Sequence, residues 1–231
     1  MPSLVDSARG LPLIADLLSR CSFPPEHTYV DCAVSGGADS VALLVLARAA
    51  NLNVTAWHVD HGLRENSQAE AELVAQLAIQ LEAQFESRTV NVDQGANTEA
   101  RAREARYGAM PQGVMTGHTA DDQAETILIN LLRGSGTRGL AGMQPTSQRP
   151  LLHIRRSETR ALCSALGISV FNDPSNNDER FQRNRIRHEV LPLLESLAKR
   201  DLVPVLTRQA DLLRDDDDLL SELASTLDPT D

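Results

Sequence analysis

Residues 35–40 read Ser35-Gly36-Gly37-Ala38-Asp39-Ser40, between Tyr29-Val30-Asp31-Cys32-Ala33-Val34 and Val41-Ala42-Leu43-Leu44-Val45-Leu46-Ala47-Arg48. The first flank is a short apolar stretch of strand length, and the second reads as a helix. A strand, a Ser/Gly turn and a helix together make an anion cradle. The two glycines admit backbone angles that other residues resist and let the main chain approach a ligand closely. Free N–H groups at the helix start then point at negative charge, and a phosphate chain fits that description.

The common nucleotide loop, G-x-x-x-x-G-K-[ST], needs a lysine at the terminal phosphates, and the only lysine here is the distant Lys199. The dinucleotide fingerprint G-x-G-x-x-G is absent as well. Asp39 stands where a cation would be expected, which makes sense if a magnesium ion lies between carboxylate and phosphates. In this form, S-G-G-x-D-S after a first strand, the segment resembles the pyrophosphate loop of the ATP pyrophosphatases, the PP-loop superfamily. The resemblance implies that Ser35, Gly36, Gly37, Ala38, Asp39 and Ser40 bind ATP, which is cut between its α and β phosphates so that AMP passes to a substrate oxygen.

Outward from the cradle, strand and helix patterns alternate. Strands are expected at 53–59, 85–92 and 113–116, and helices over most of 3–20 and at 68–83, 97–110 and 121–132. This alternation predicts an α/β fold, a parallel sheet with helices on both faces, of the adenine nucleotide alpha hydrolase type that the resemblance implies. Ligands in such sheets bind at the carboxyl ends of strands, where each motif here falls. Residues 1–143 are expected to form the ATP-binding domain. Residues 144–231 are expected to form a loop-rich, then helical part of the catalytic region packed on the first, with helices at 157–166, 184–200 and 203–224.

With 231 residues, 42% hydrophobic and 23% charged, the composition is that of an ordinary globular protein. No apolar run reaches membrane-spanning length, and residues 1–20 do not read as a signal peptide. Cys21, Cys32 and Cys163 are odd in number and widely separated, which fits reduced thiols and a cytoplasmic enzyme. The net charge of −10 is uneven: residues 130–200 hold 12 Arg and Lys against 6 acids, a net of +6. A local basic zone is a better guide to polyanion binding than the total, although a solvated arginine face would look the same.

The second motif is Gly117-His118-Thr119-Ala120-Asp121-Asp122-Gln123-Ala124-Glu125-Thr126. Acids at a helix start can be caps. Paired with Asp39, however, Asp122 completes a magnesium site, leaving Asp121 as the cap or as a support behind the metal ligands. The third, His58-Val59-Asp60-His61-Gly62-Leu63-Arg64, flanks the place of an adenosine, and His61 and Arg64 are expected to bind ATP. His58, His61, Asp60 and His118 would alternatively suggest zinc, and His58 alone can be a plain strand residue. The fourth, Gly134-Ser135-Gly136-Thr137-Arg138-Gly139-Leu140-Ala141-Gly142-Met143, reads as a mobile or ligand-wrapping loop. The fifth is Asn172-Asp173-Pro174-Ser175-Asn176 followed by Arg183-Asn184-Arg185-Ile186-Arg187. Arg183 and Arg187 share a helical face there and can present one patch to phosphates.

Together the five motifs, from about residue 30 to 194, resemble the tRNA(Ile)-lysidine synthase family. That family's reaction uses ATP with Mg2+ to adenylate the C2 oxygen of the wobble cytidine in a tRNA(Ile) with a CAU anticodon. Free L-lysine then displaces AMP. The resemblance makes Asp39, Asp122, His118 and Arg187 candidate catalytic residues and Asp39 and Asp122 the metal ligands. Arg138, Arg183, Asn184 and Arg185 become contacts to substrate or tRNA, and a homodimer is compatible with it. Family members often carry further C-terminal domains that grip the tRNA. Rival readings are a tRNA thiolase, which would need paired cysteines or an iron–sulfur cluster, an amide-forming synthetase for a small metabolite, and a non-catalytic binding module.

Overall fold

Three parallel strands, β1 (Tyr29–Ala33), β2 (Asn53–Asp60) and β3 (Gln84–Thr89), form a sheet in the order β1-β2-β3. The computed structural model describes residues 3–60, 67–90, 108–171 and 178–226. The expected helix at 97–110 lies almost wholly outside them, as do His61, Arg64 and the 172–176 loop. The fourth strand, expected at 113–116, is reduced to one parallel bridge, Met115 beside Cys32. Met115 accepts from the Ala33 N–H at 2.9 Å and donates to the Asp31 carbonyl at 2.8 Å. It therefore lies on the side of β1 away from β2. The strand order therefore reverses at β1, and in open parallel sheets ligands bind at the carboxyl ends of the strands that flank such a point.

The described residues fall into two compact units. The first comprises Met1–His118 with Pro145–Asp173, and the second Thr119–Gln144 with Pro174–Asp231. The expected division at 143/144 thus lies beside one of three crossings, and residues 145–173 return to the first unit.

The first unit contains α1 (Leu4–Arg9), α2 (Pro12–Ser19), α3 (Ala38–Ala49), α4 (Ser67–Gln80) and, after the second-unit helices α5 and α6 defined below, α7 (Arg156–Ala165). Helix α3 is buried on nearly all sides, from Ser40 to Ala47, because it carries small and branched apolar residues around its whole circumference. One core joins it to β1, β2, α4 and Leu151, Ile154 and Leu162. The N-terminal helical pattern is split in two by Gly10 and Pro12, and Pro12 opens α2, where its missing N–H costs nothing.

In the second unit, α5 (Ala120–Leu132) and the short α6 (Thr137–Leu140) precede a helical run of α8 (Gln182–Arg185), a π turn (Ile186–Val190) and α9 (Leu191–Ala198). The π turn ends beside Pro192, which cannot donate a helical hydrogen bond four residues back and crowds the carbonyl there. Helix α10 (Val203–Thr226) completes the unit. Ala120, Ala124, Leu128, Ile186, Leu191 and Val203 form its own small core.

Candidate active site

In the first unit, the chain leaves β1 at Val34 and turns through Ser35-Gly36-Gly37 into α3. Gly36 takes φ +84°, a left-handed conformation that glycine adopts without strain. The Ser40 Oγ accepts from the Ser35 N–H at 3.1 Å and donates to the Gly37 carbonyl at 2.9 Å, which ties the two ends of the turn together. Phe171 closes its far side by donating its N–H to the Gly36 carbonyl at 2.8 Å. Gly37 is the N-cap and brings no side chain to the first turn of α3. These are the requirements of an anion cradle: a fixed turn and a helix start approached by backbone alone.

Asp39 lies in that first turn. Its Oδ1 accepts from the Thr159 hydroxyl, and its Oδ2 faces the Arg156 Nε at 3.4 Å. Both partners come from α7, which the sequence reading did not associate with the cradle. One signal was available. Arg155 and Arg156 are two cations at a helix start, where the helix dipole favours acids, so a carboxylate partner elsewhere was to be expected. The side chain of Asp39 keeps 27% of its surface exposed.

The second unit holds a different arrangement. Thr119 is the N-cap of α5, and the Oδ2 of Asp122 accepts from both its N–H and its hydroxyl at 2.8 Å. The cap assigned to Asp121 is therefore made by Asp122, because the third helical residue is the one whose side chain reaches back to the N-cap. Glu125, one turn on, is 1% exposed. It receives the Arg187 Nε on one oxygen and the Arg183 Nε on the other, each at 2.7 Å. Arg183 also donates to the Asp122 Oδ1 at 3.2 Å, and Arg187 stands 3.7 Å from the same atom. Acids at i, i+3 on α5 thus meet arginines at i, i+4. The two arginines do share a helical face, as expected, but that face is turned onto Asp122 and Glu125 instead of outward. Nothing in the local sequence singles out Glu125, whose partners lie about 60 positions away.

Of the other expected residues, Arg185 is exposed and pairs with Glu189 at 3.1 Å. Asn184 is buried, its amide donating to the Asp178 carbonyl at 2.9 Å. Arg138 is exposed on α6. The His118 Nδ1 meets the Thr116 hydroxyl at 2.7 Å. His58 is a buried strand residue whose Nδ1 lies 2.9 Å from the Val34 carbonyl, so that nitrogen carries the proton. Among the described residues, no three His, Cys, Asp or Glu side chains gather as metal ligands, and His61 of the zinc alternative lies outside them.

Magnesium prefers oxygen ligands and needs only one or two carboxylates when phosphates and waters complete its shell. Asp39 fits: it stands in the first turn of the cradle helix, part-exposed, with Thr159 and Arg156 orienting its two oxygens. The oxygens of Asp122 are already engaged, one by the cap and the other by arginine. All three cysteines are free thiols, and burial pushes Cys21 up to about 12, Cys163 up to about 11 and Cys32 higher still. None is a thiolate at neutral pH.

Parallel sheet, reversal of strand order at β1 and S-G-G-A-D-S cradle define a class of nucleotide-binding fold, and residues 14–194 match the PP-loop domain. The chain belongs to the PP-loop family. Within it, the chain is similar to tRNA(Ile)-lysidine synthases. It is 46% identical over 215 residues to that of Rhodococcus erythropolis, covering 89% of this chain and 66% of the relative. It is 48% identical over 203 residues to that of Mycolicibacterium paratuberculosis, covering 83% and 62%. The chain thus spans a little under two thirds of the length of these relatives. In fold it resembles a U34-tRNA thiolase from Methanococcus maripaludis, with a TM-score of 0.67 at 16% identity over 91% of this chain and 80% of that one.

Proposed function

We propose that this chain is the catalytic part of a tRNA(Ile)-lysidine synthase, acting in the cytoplasm on ATP, free L-lysine and a tRNA(Ile) with a CAU anticodon. The observation that carries this reading is the S-G-G-A-D-S cradle with Asp39 in the first turn of α3, in a sequence nearly half identical to enzymes of that name.

In this reaction the C2 oxygen of cytidine attacks the α-phosphorus of ATP, and pyrophosphate leaves. The lysine ε-amine, having lost a proton, then attacks C2 and expels AMP. The cradle N–H groups hold the departing phosphates in line. Mg2+, when bound at Asp39, supplies charge neutralisation on those phosphates. Thr159 and Arg156 keep the Asp39 carboxylate oriented. Arg183 and Arg187, aligned by Glu125, offer guanidinium edges to phosphate oxygens, and Asp122 holds Arg183 in place. Arg138 and Arg185, both exposed, are the cations we assign to tRNA. The high-pKa thiols fit this chemistry better than sulfur transfer, which runs through a thiolate or a cysteine-held cluster.

The test is pyrophosphate release from ATP with L-lysine and total tRNA, each left out in turn. Release that needs all three, with lysidine in the digested tRNA, is the expected result. Release without tRNA in the presence of ammonia would overturn it in favour of a small-metabolite synthetase.

A further inference from the structure

We infer that Arg214, on α10 and beyond the residues that match the PP-loop domain, is a positioning residue for the glycine-rich segment 134–143. This inference rests on the reading above, in which Arg138 of that segment meets the tRNA.

The segment has a conformational problem. Gly134, Gly136, Gly139 and Gly142 give it more backbone freedom than any other nine residues of the chain, and ordering each costs more entropy than ordering another residue. Side chains from elsewhere hold it. The Asn130 amide donates to the Gly139 carbonyl at 2.7 Å. Gln123, which is buried, clasps Met143 from both sides: its Nε2 donates to the Met143 carbonyl at 2.9 Å and its Oε1 accepts the Met143 N–H at 2.8 Å. Gly142, at φ +65°, passes so close that a Cβ there would lie 2.8 Å from the Gln123 Oε1.

Arg214 completes the grip. One terminal nitrogen donates to the Ala141 carbonyl at 2.9 Å and to the Met143 carbonyl at 3.1 Å, so a single NH2 group bridges the left-handed turn at Gly142. The other terminal nitrogen is held by Asp211 at 2.8 Å, which fixes the plane of the guanidinium. The side chain is 14% exposed. Arg214 also lines one pocket with Arg138, Gly142, Gln144 and Asp217. The segment that Arg214 holds is therefore the one that carries Arg138. The guanidinium meets both carbonyls with one nitrogen while Asp211 anchors the other, whereas a lysine has a single nitrogen and cannot reach the carbonyls and the anchor with the same planar fork.

The test compares the 231-residue chain with Arg214→Ala and Arg214→Lys by two readouts. Amide hydrogen exchange at residues 139–144 should speed up in Arg214→Ala while the amides of α3 keep wild-type rates. The tRNA-dependent kcat/KM should fall roughly 10- to 100-fold with KM for ATP unchanged, the cost of a misplaced contact. Arg214→Lys should recover part of both. Wild-type exchange and turnover in Arg214→Ala, or exchange that accelerates equally throughout the second unit, would overturn the inference. If Arg214→Ala does not fold, the same two readouts on Arg214→Lys decide. A wild-type chain without lysine-dependent turnover would sink the functional reading alone, since the exchange pattern still reports on Arg214.

Discussion

A side chain at Gly117 would place its Cβ 2.6 Å from the carbonyl oxygen of Asp39. The end of the Met115 segment and the first turn of α3 therefore lie backbone against backbone. Gly117→Ala must push the turn away, because no flexible side chain is there to yield. The expected cost is about 1–3 kcal/mol of stability and a raised KM for ATP. Urea unfolding and ATP titration measure the two separately.

Asp39→Asn should abolish pyrophosphate release with little loss of stability, since an amide can still accept from Thr159 but is a far poorer ligand for a hard cation. Thr159→Val should retain part of the activity and need more Mg2+ to reach half its maximal rate. A Mg2+ titration of all three proteins separates ligand from orienting group.

Glu125→Gln should be among the most destabilising single changes in the second unit. It leaves Arg183 and Arg187 without the carboxylate that both face, and breaking such a buried pair costs about 3 kcal/mol or more. Asp122→Asn should lose less stability, because the cap survives in weakened form. Equal midpoints in urea for wild type and Glu125→Gln would show that the arginines find other partners.

The three thiols should react slowly with a thiolate-seeking reagent at pH 7.5, as their raised pKa values require. Replacing Cys21, Cys32 and Cys163 by Ala should leave turnover intact, apart from a packing cost at the buried Cys32 and Cys163. Loss of activity in a folded triple variant would revive a sulfur-transfer role.

The hydrogen bonds and charge of Arg20 hold the Glu158 carboxyl below its ordinary value. A depressed carboxylate contributes stability that is present above its unfolded pKa, ordinarily 4.5, and is lost as pH falls through the folded value. Arg20→Gln should therefore lower the thermal midpoint at pH 7 and flatten its decline below pH 4.5. Scanning both proteins from pH 7 to pH 3 checks the sign.

Much of this molecule is determined by local sequence. The strand–cradle–helix unit at 29–49, the parallel alternation that follows and the extents of α4, α5, α7 and α10 all come from hydrophobic period, glycine placement and caps. These are interactions among residues a few positions apart, and so they can be read along the chain. The cradle is legible for the same reason, because its chemistry is that of backbone in a short turn.

Tertiary structure alone decided where the charges point. The i, i+4 spacing of Arg183 and Arg187 places them on one face but cannot say whether that face meets solvent or another helix. Glu125, about 60 positions earlier, turned it inward, because a buried carboxylate must find cations. The same distance in sequence hid Thr159 and Arg156 from Asp39, 120 and 117 positions away. Long-range pairing also reduced an expected strand to the single bridge of Met115 with Cys32, whereas the cap made by Asp122 is local, set by its place three residues after Thr119. Period and propensity specify elements and faces, whereas pairing of charges is a property of which faces the fold brings together.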